Sequence, residues 1–177
     1  NSQLFSYLAD SSVHPRLVLG DARLSLAKEE DHHFDLLILD AFSSDSIPPH
    51  LLTREAFRVY LAKLTDEGLI AFHISNKYLD LERVVGDVAR DAGLASRSQE
   101  DLDVMPGEKQ AGKFGSHWVL LARKEEHLGR LRFDRRWQEI PPRKDSQVWT
   151  DDFYNLMSVF RWSRSEDRYR VAPATKR

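Results

Sequence analysis

Apolar residues along this chain alternate between short unbroken runs and longer stripes at helical spacing. Leu36, Leu37, Ile38 and Leu39 form a run too short for a helix and free of polar residues. Such a run predicts a strand buried on both faces of a parallel sheet. Residues 51–64 place Leu52, Ala56, Val59, Tyr60 and Leu64 on one stripe, with Thr53 and Glu55 in the first turn, and predict a helix. Thr65-Asp66-Glu67-Gly68 predicts a stop and a turn, and residues 69–74 a second strand. Residues 79–92 repeat the helical pattern with Leu81, Val84, Val85, Val88, Ala89 and Ala92, and Gly93 predicts a left-handed cap. Shorter signals predict strands at 16–19 and 94–97 and a helix after Gly20 to about residue 28, bearing Leu24 and Ala27. Residues 101–115 read as a loop rich in glycine and charge, and the run HWVLLA at 117–122 as a final strand. Strand alternating with helix predicts an α/β fold with a right-handed, mostly parallel sheet.

Beyond residue 123 the texture changes. Residues 124–144 are strongly charged, with Leu128, Leu131, Phe133 and Trp137 as scattered anchors, and 148–162 are rich in aromatics. The chain is expected to divide into a sheet domain at 1–125, an extension packing on it at 126–162, and a basic, disordered tail at 163–177. Its 177 residues suffice for one core. A net charge of −2 argues against a general nucleic-acid binder. Cysteine is absent, which excludes disulfides, thiolate metal sites and a cysteine nucleophile and suits the cytoplasm. No apolar run approaches the roughly 20 residues that span a bilayer. The first residue is Asn1, and the expectation is a piece of a longer chain.

Candidate chemistry sits at strand ends, because open α/β sheets bind ligands outside the carboxyl ends of their strands. Asp40 ends the apolar run, and the loop after it carries Ser43, Ser44 and Asp45 before Pro48-Pro49. Asp45 reads either as a second functional carboxylate or as a solvated loop residue. Asp21 follows Gly20 at another strand end, where an N-cap role would stabilise the next helix by about 1 kcal/mol. His73 ends the strand at 69–74, a place where a lone histidine is commonly structural. Asp151-Asp152 could cap a helix starting near Phe153. His32-His33 lacks further ligands at metal-binding spacing, and both rings are expected in solvent.

Taken together and in order, Gly20-Asp21-Ala22-Arg23, Leu39-Asp40-Ala41-Phe42-Ser43-Ser44-Asp45, His73-Ile74-Ser75-Asn76 and Trp149-Thr150-Asp151-Asp152 resemble the spermidine synthase family. The nearer likeness is to bacterial members fused behind a transporter-like membrane region, and it covers about residues 4–162. The resemblance implies a Rossmann-like class I methyltransferase sheet with one antiparallel strand, here 117–122, and a missing N-terminal part. It implies that Asp21 binds the adenine amino group of the nucleoside co-substrate, with Ala22 against the base. It further implies that Asp40 helps to deprotonate the attacking amine and that Asp45 holds the cationic end of a polyamine. His73 would stand where a glutamine contacts substrate, and Asp151 would line the acceptor pocket. The implied reaction is aminopropyl transfer from decarboxylated S-adenosylmethionine to a diamine such as putrescine, without a metal. Methyl transfer from S-adenosylmethionine, or a non-catalytic nucleoside- or polyamine-sensing module of a membrane protein at the inner membrane's cytoplasmic face, are the alternatives. A homodimer is a further expectation.

Three departures from the family pattern stand out. Two extra residues separate Asp40 from Asp45, and residues 105–115 lack the tyrosine segment that grips a diamine. No Gly-x-Gly-x-x-Gly loop occurs, and the resemblance would place that loop upstream. The expectation is weak nucleoside binding and no activity by these 177 residues alone.

Overall fold

The computed structural model describes residues 10, 12–13, 15–40, 48–76 and 78–161. Among these residues five strands form one sheet in the order β1-β2-β4-β3-β5. These are β1 (Phe34–Leu39), β2 (Leu64–His73), β3 (Ala95–Asp101), β4 (Ser116–Ala122) and β5 (Gln138–Glu139). Helix α2 (Arg54–Lys63) links β1 to β2, and α3 (Leu81–Asp91) links β2 to β3, while α1 (Ala22–Leu26) precedes β1 and α4 (Pro106–Gln110) precedes β4. β1 and β2 pair in parallel, and β4 pairs antiparallel with both β2 and β3. β1, β2 and β3 therefore run one way, with β4 wedged between the last two in the opposite sense. This is a Rossmann-like α/β sheet, with the antiparallel strand at 117–122 that the resemblance implies.

Alternation along the strands builds a core on each face. Ile70 and Phe72 of β2 and Val119 and Leu121 of β4 point toward α2 and α3, where they meet Phe57, Tyr60, Val84 and Val88. Ala71, Leu120 and Ala122 point the other way and pack with Leu128, which lies in the 3₁₀ segment Glu125–Phe133. Trp149, 1% exposed, and Val159 bring the C-terminal extension into the larger core. Thr53 caps α2 by accepting the Ala56 amide, and a 3₁₀ turn, Pro49–Leu51, precedes it. Gly93, at φ 68°, ends α3 in the expected left-handed cap. The Gly93 and Leu94 amides donate back to the Arg90 and Ala89 carbonyls, which closes the helix with paired bonds.

Several expectations are corrected. β1 is half-open: Leu37 and Leu39 pack on the core, but Leu36 and Ile38 are 50% and 60% exposed, because the layer that covers the second face centres on β2 and β4. Residues 65–68 continue β2 through an irregularity, since the register moves from Phe34↔Leu64 to Leu36↔Leu69 and absorbs the extra residues within the ladder. Residues 16–19 form no ladder, and Leu17 and Leu19 are exposed. β3 runs to Asp101, lengthened by seven register pairs with β4 despite its polar sequence. Phe133 is exposed and anchors nothing in the core. The helix end at 3–8, the loop bearing Ser43, Ser44 and Asp45, and the tail 163–177 lie outside the described residues.

Candidate functional site at the strand tips

Asp40 and His73 leave the carboxyl ends of adjacent parallel strands, so the sheet places them side by side. His73 Nδ1 lies 2.7 Å from Asp40 Oδ1, and its Nε2 lies 2.7 Å from Ser75 Oγ. The Asp40 carboxylate is 54% exposed and the His73 side chain 22%, so the carboxylate meets solvent while the ring is partly sheltered. Trp118, the register partner of His73 on β4, stacks on the ring at 4.6 Å and 20°. The His117 amide donates to Ser75 Oγ at 2.8 Å. Sequence reading singled out Asp40 and His73 separately and missed their pairing. Ser75 was open to detection, because residues two apart on an extended strand share a face.

Asp21 does cap α1, accepting the Leu24 amide at 2.8 Å. That bond, followed by the nearby His50, holds its carboxyl below the usual aspartate range. His50 Nε2 lies 3.2 Å from Asp21 Oδ2. An ionised carboxylate offers about four lone-pair sites, so with two in use Asp21 can still accept from an adenine amino group. Ala22 beside it is exposed, and so are Leu19 and Leu24. These residues suit one face of a purine in chemistry but do not enclose it. Asp40 opens the segment 41–47, and His50, the partner of Asp21, follows that segment closely.

Asp151 reaches the same neighbourhood from the far end of the chain. Arg23 donates to both of its oxygens, at 2.7 and 2.8 Å, and the Thr53 hydroxyl donates at 2.7 Å. The Arg23 bond is the main reason its carboxyl sits below the usual range. This corrects the capping expectation: no helix starts at Phe153, whose amide bonds Thr150 instead. Through these bonds Asp151 joins α1 to α2 and the extension. Neither Arg23 nor Thr53 carried a sequence signal for this link, which spans 128 residues in one case.

A second polar cluster adjoins the strand tips through His117, whose amide bonds Ser75. His117 Nε2 is 2.8 Å from both Glu82 Oε2 and Ser98 Oγ, joining β4, α3 and β3. Two hollows lined by described residues lie elsewhere, one lined by Asp87, Arg143 and Trp149, the other by Arg54, Phe57, Arg58 and Asp91. Their ion pairs, Arg143 with Asp145 and Arg54 with Asp91, close on themselves, so the strand tips are the better chemical candidate. His32 and His33 are exposed, as expected. Among the described residues no group of three or more acidic or imidazole side chains is arranged to hold a metal. Among them, too, no helix is long and apolar enough to cross a membrane.

The sheet and its strand-tip site define an α/β protein of the Rossmann-like kind. Its fold is similar to that of the spermidine synthase of Thermotoga maritima, at 12% identity over 85% of this chain and 48% of that one, with a TM-score of 0.48. It is similar as well to MnmC2 of Aquifex aeolicus, at 15% identity over 82% and 46% of the two chains and a TM-score of 0.45. A probable spermidine synthase of Corynebacterium glutamicum matches at 18% identity over 68% and 44%, with a TM-score of 0.43. The chain spans less than half the length of each. No family model matches the sequence, and no curated protein does.

Proposed function

We propose that this chain carries the amine-activating part of a transferase that moves an aminopropyl group from a nucleoside sulfonium to an amine acceptor. The single observation that supports this most is the Asp40–His73 pair, an exposed carboxylate and an imidazole joined at the tips of adjacent parallel strands. An ammonium has no lone pair, so a base must remove its proton before the nitrogen can attack carbon. The co-substrate, decarboxylated S-adenosylmethionine, supplies a carbon made electrophilic by the positive sulfur beside it. Asp40 at the open edge attracts both the cationic acceptor and that sulfonium. Asp21, ionised and still able to accept, is the candidate for the adenine amino group, with Ala22 against the base. Asp45 lies outside the described residues, and its place at the acceptor's second charge rests on the sequence alone.

The native protein bearing this chain, supplied with decarboxylated S-adenosylmethionine and putrescine, should form spermidine and methylthioadenosine. Asp40→Asn should lower the rate by two or more orders of magnitude with little change in stability. Transfer of a methyl group from S-adenosylmethionine instead would favour the alternative reaction. Full activity in Asp40→Asn would exclude Asp40 from the chemistry.

A further inference from the structure

We propose that Asp40, His73 and Ser75 form a directed proton path, in which Ser75 meets the acceptor, His73 Nε2 takes the proton, and Asp40 is a positioning residue. The inference rests on the transferase reading for its substrate, but its geometry stands independently.

The direction follows from what each atom can do. An ionised carboxylate only accepts hydrogen bonds, so the 2.7 Å contact to Asp40 Oδ1 requires the proton on His73 Nδ1. A neutral imidazole then has its lone pair on Nε2, 2.7 Å from Ser75 Oγ. The His117 amide already fills one lone pair of that oxygen. The Ser75 hydroxyl hydrogen is thereby turned toward Nε2. Trp118 fixes the plane of the ring from the neighbouring strand, which removes the rotation that would break both contacts.

The chemistry favours the imidazole over the carboxylate as the proton's destination. Imidazole is a stronger base than carboxylate by about two pKa units in water, and so takes a proton from an ammonium with a smaller penalty. In the step, an acceptor N–H bond breaks as its proton passes to Ser75 Oγ, and the original hydroxyl proton moves to His73 Nε2. The nitrogen keeps the electron pair for attack on carbon. Ser75 ends as it began, and the imidazolium that forms lies against the Asp40 carboxylate and the Trp118 face.

A long-range ¹H–¹⁵N spectrum of the 177-residue chain tests the arrangement, with the His73 signals assigned by their loss in His73→Gln. The expected result is the Nδ1–H tautomer in the wild type and in Ser75→Ala, and loss of that preference in Asp40→Ala. An Nε2–H tautomer, or a spectrum indifferent to Asp40→Ala, would overturn the proposal. Where turnover is measured, His73→Asn keeps an N–H toward Asp40 but has no basic nitrogen facing Ser75. It should lose 100-fold or more in kcat with KM nearly unchanged; an unchanged kcat would overturn the path. The tautomer is read without any substrate, so a protein that turns over neither donor sinks the transferase reading while this one is still decided by the spectrum.

Discussion

Thr53 illustrates how much a single hydroxyl can carry. It caps α2 through the Ala56 amide and donates to Asp151, so it serves a helix end and a contact between distant segments with one oxygen. Thr53→Ala should cost about 1–2 kcal/mol in urea unfolding, in the range of a lost N-cap, while Thr53→Ser should stay within about 0.5 kcal/mol. Glu82 is the residue through which acid should act. The His117 hydrogen bond, joined by Ser98, outweighs partial burial and holds its carboxyl below the ordinary glutamate range. A lowered folded value means that the carboxylate's contribution is present above the unfolded value and is lost as pH falls through the folded one. The stability advantage of the wild type over Glu82→Gln should therefore shrink below about pH 4.3 in acid titrations followed by circular dichroism.

At the scale of elements, α3 shows packing overriding propensity. Gly86 sits inside the helix, and a Cβ there would lie 2.7 Å from Ile140 Cγ2. Alanine would improve helix propensity by about 1 kcal/mol, but forcing Ile140 out of a filled core costs about 1–3 kcal/mol. Gly86→Ala should thus lower stability by about 1 kcal/mol in chemical denaturation, and a second change, Ile140→Val, should recover part of the loss. β3 teaches the converse. Its sequence, ASRSQED, has almost no apolar signal, yet ladders with β4 and β5 on either side hold it extended. Register pairing supplies what side-chain pattern does not.

For the molecule as a whole, the asymmetry of the sheet is the dominant feature. Among the described residues, β2, β4 and β3 have neighbours on both edges, while β1 ends the sheet with Leu36 and Ile38 in solvent and Leu17 and Leu19 exposed before it. An exposed apolar edge strand is a template for pairing with another copy. The isolated chain should self-associate with rising concentration in sedimentation velocity, and Leu36→Lys with Ile38→Lys should reduce this while leaving the far-ultraviolet spectrum unchanged. Association that is insensitive to both changes would place the contact elsewhere.

Amino-acid order alone settled what depends on neighbours three or four positions apart. The stripes of α2 and α3, the Gly93 cap, the apolar strand at 117–122 and an acidic residue at the tip of β1 all follow from local periodicity and backbone preference. An apolar run at 36–39 signals a strand, but only the assembled layers decide that one of its faces stays wet. The same holds for the site. Sequence places Asp40 and His73 at strand ends as separate candidates; the parallel register of β1 on β2 joins them, with Ser75, into one hydrogen-bonded chain. Arg23 and Asp151 likewise meet only because the C-terminal extension folds back onto α2. Such contacts join residues dozens of positions apart, and their energy exists only once the intervening chain has packed, which is why no local pattern encodes them.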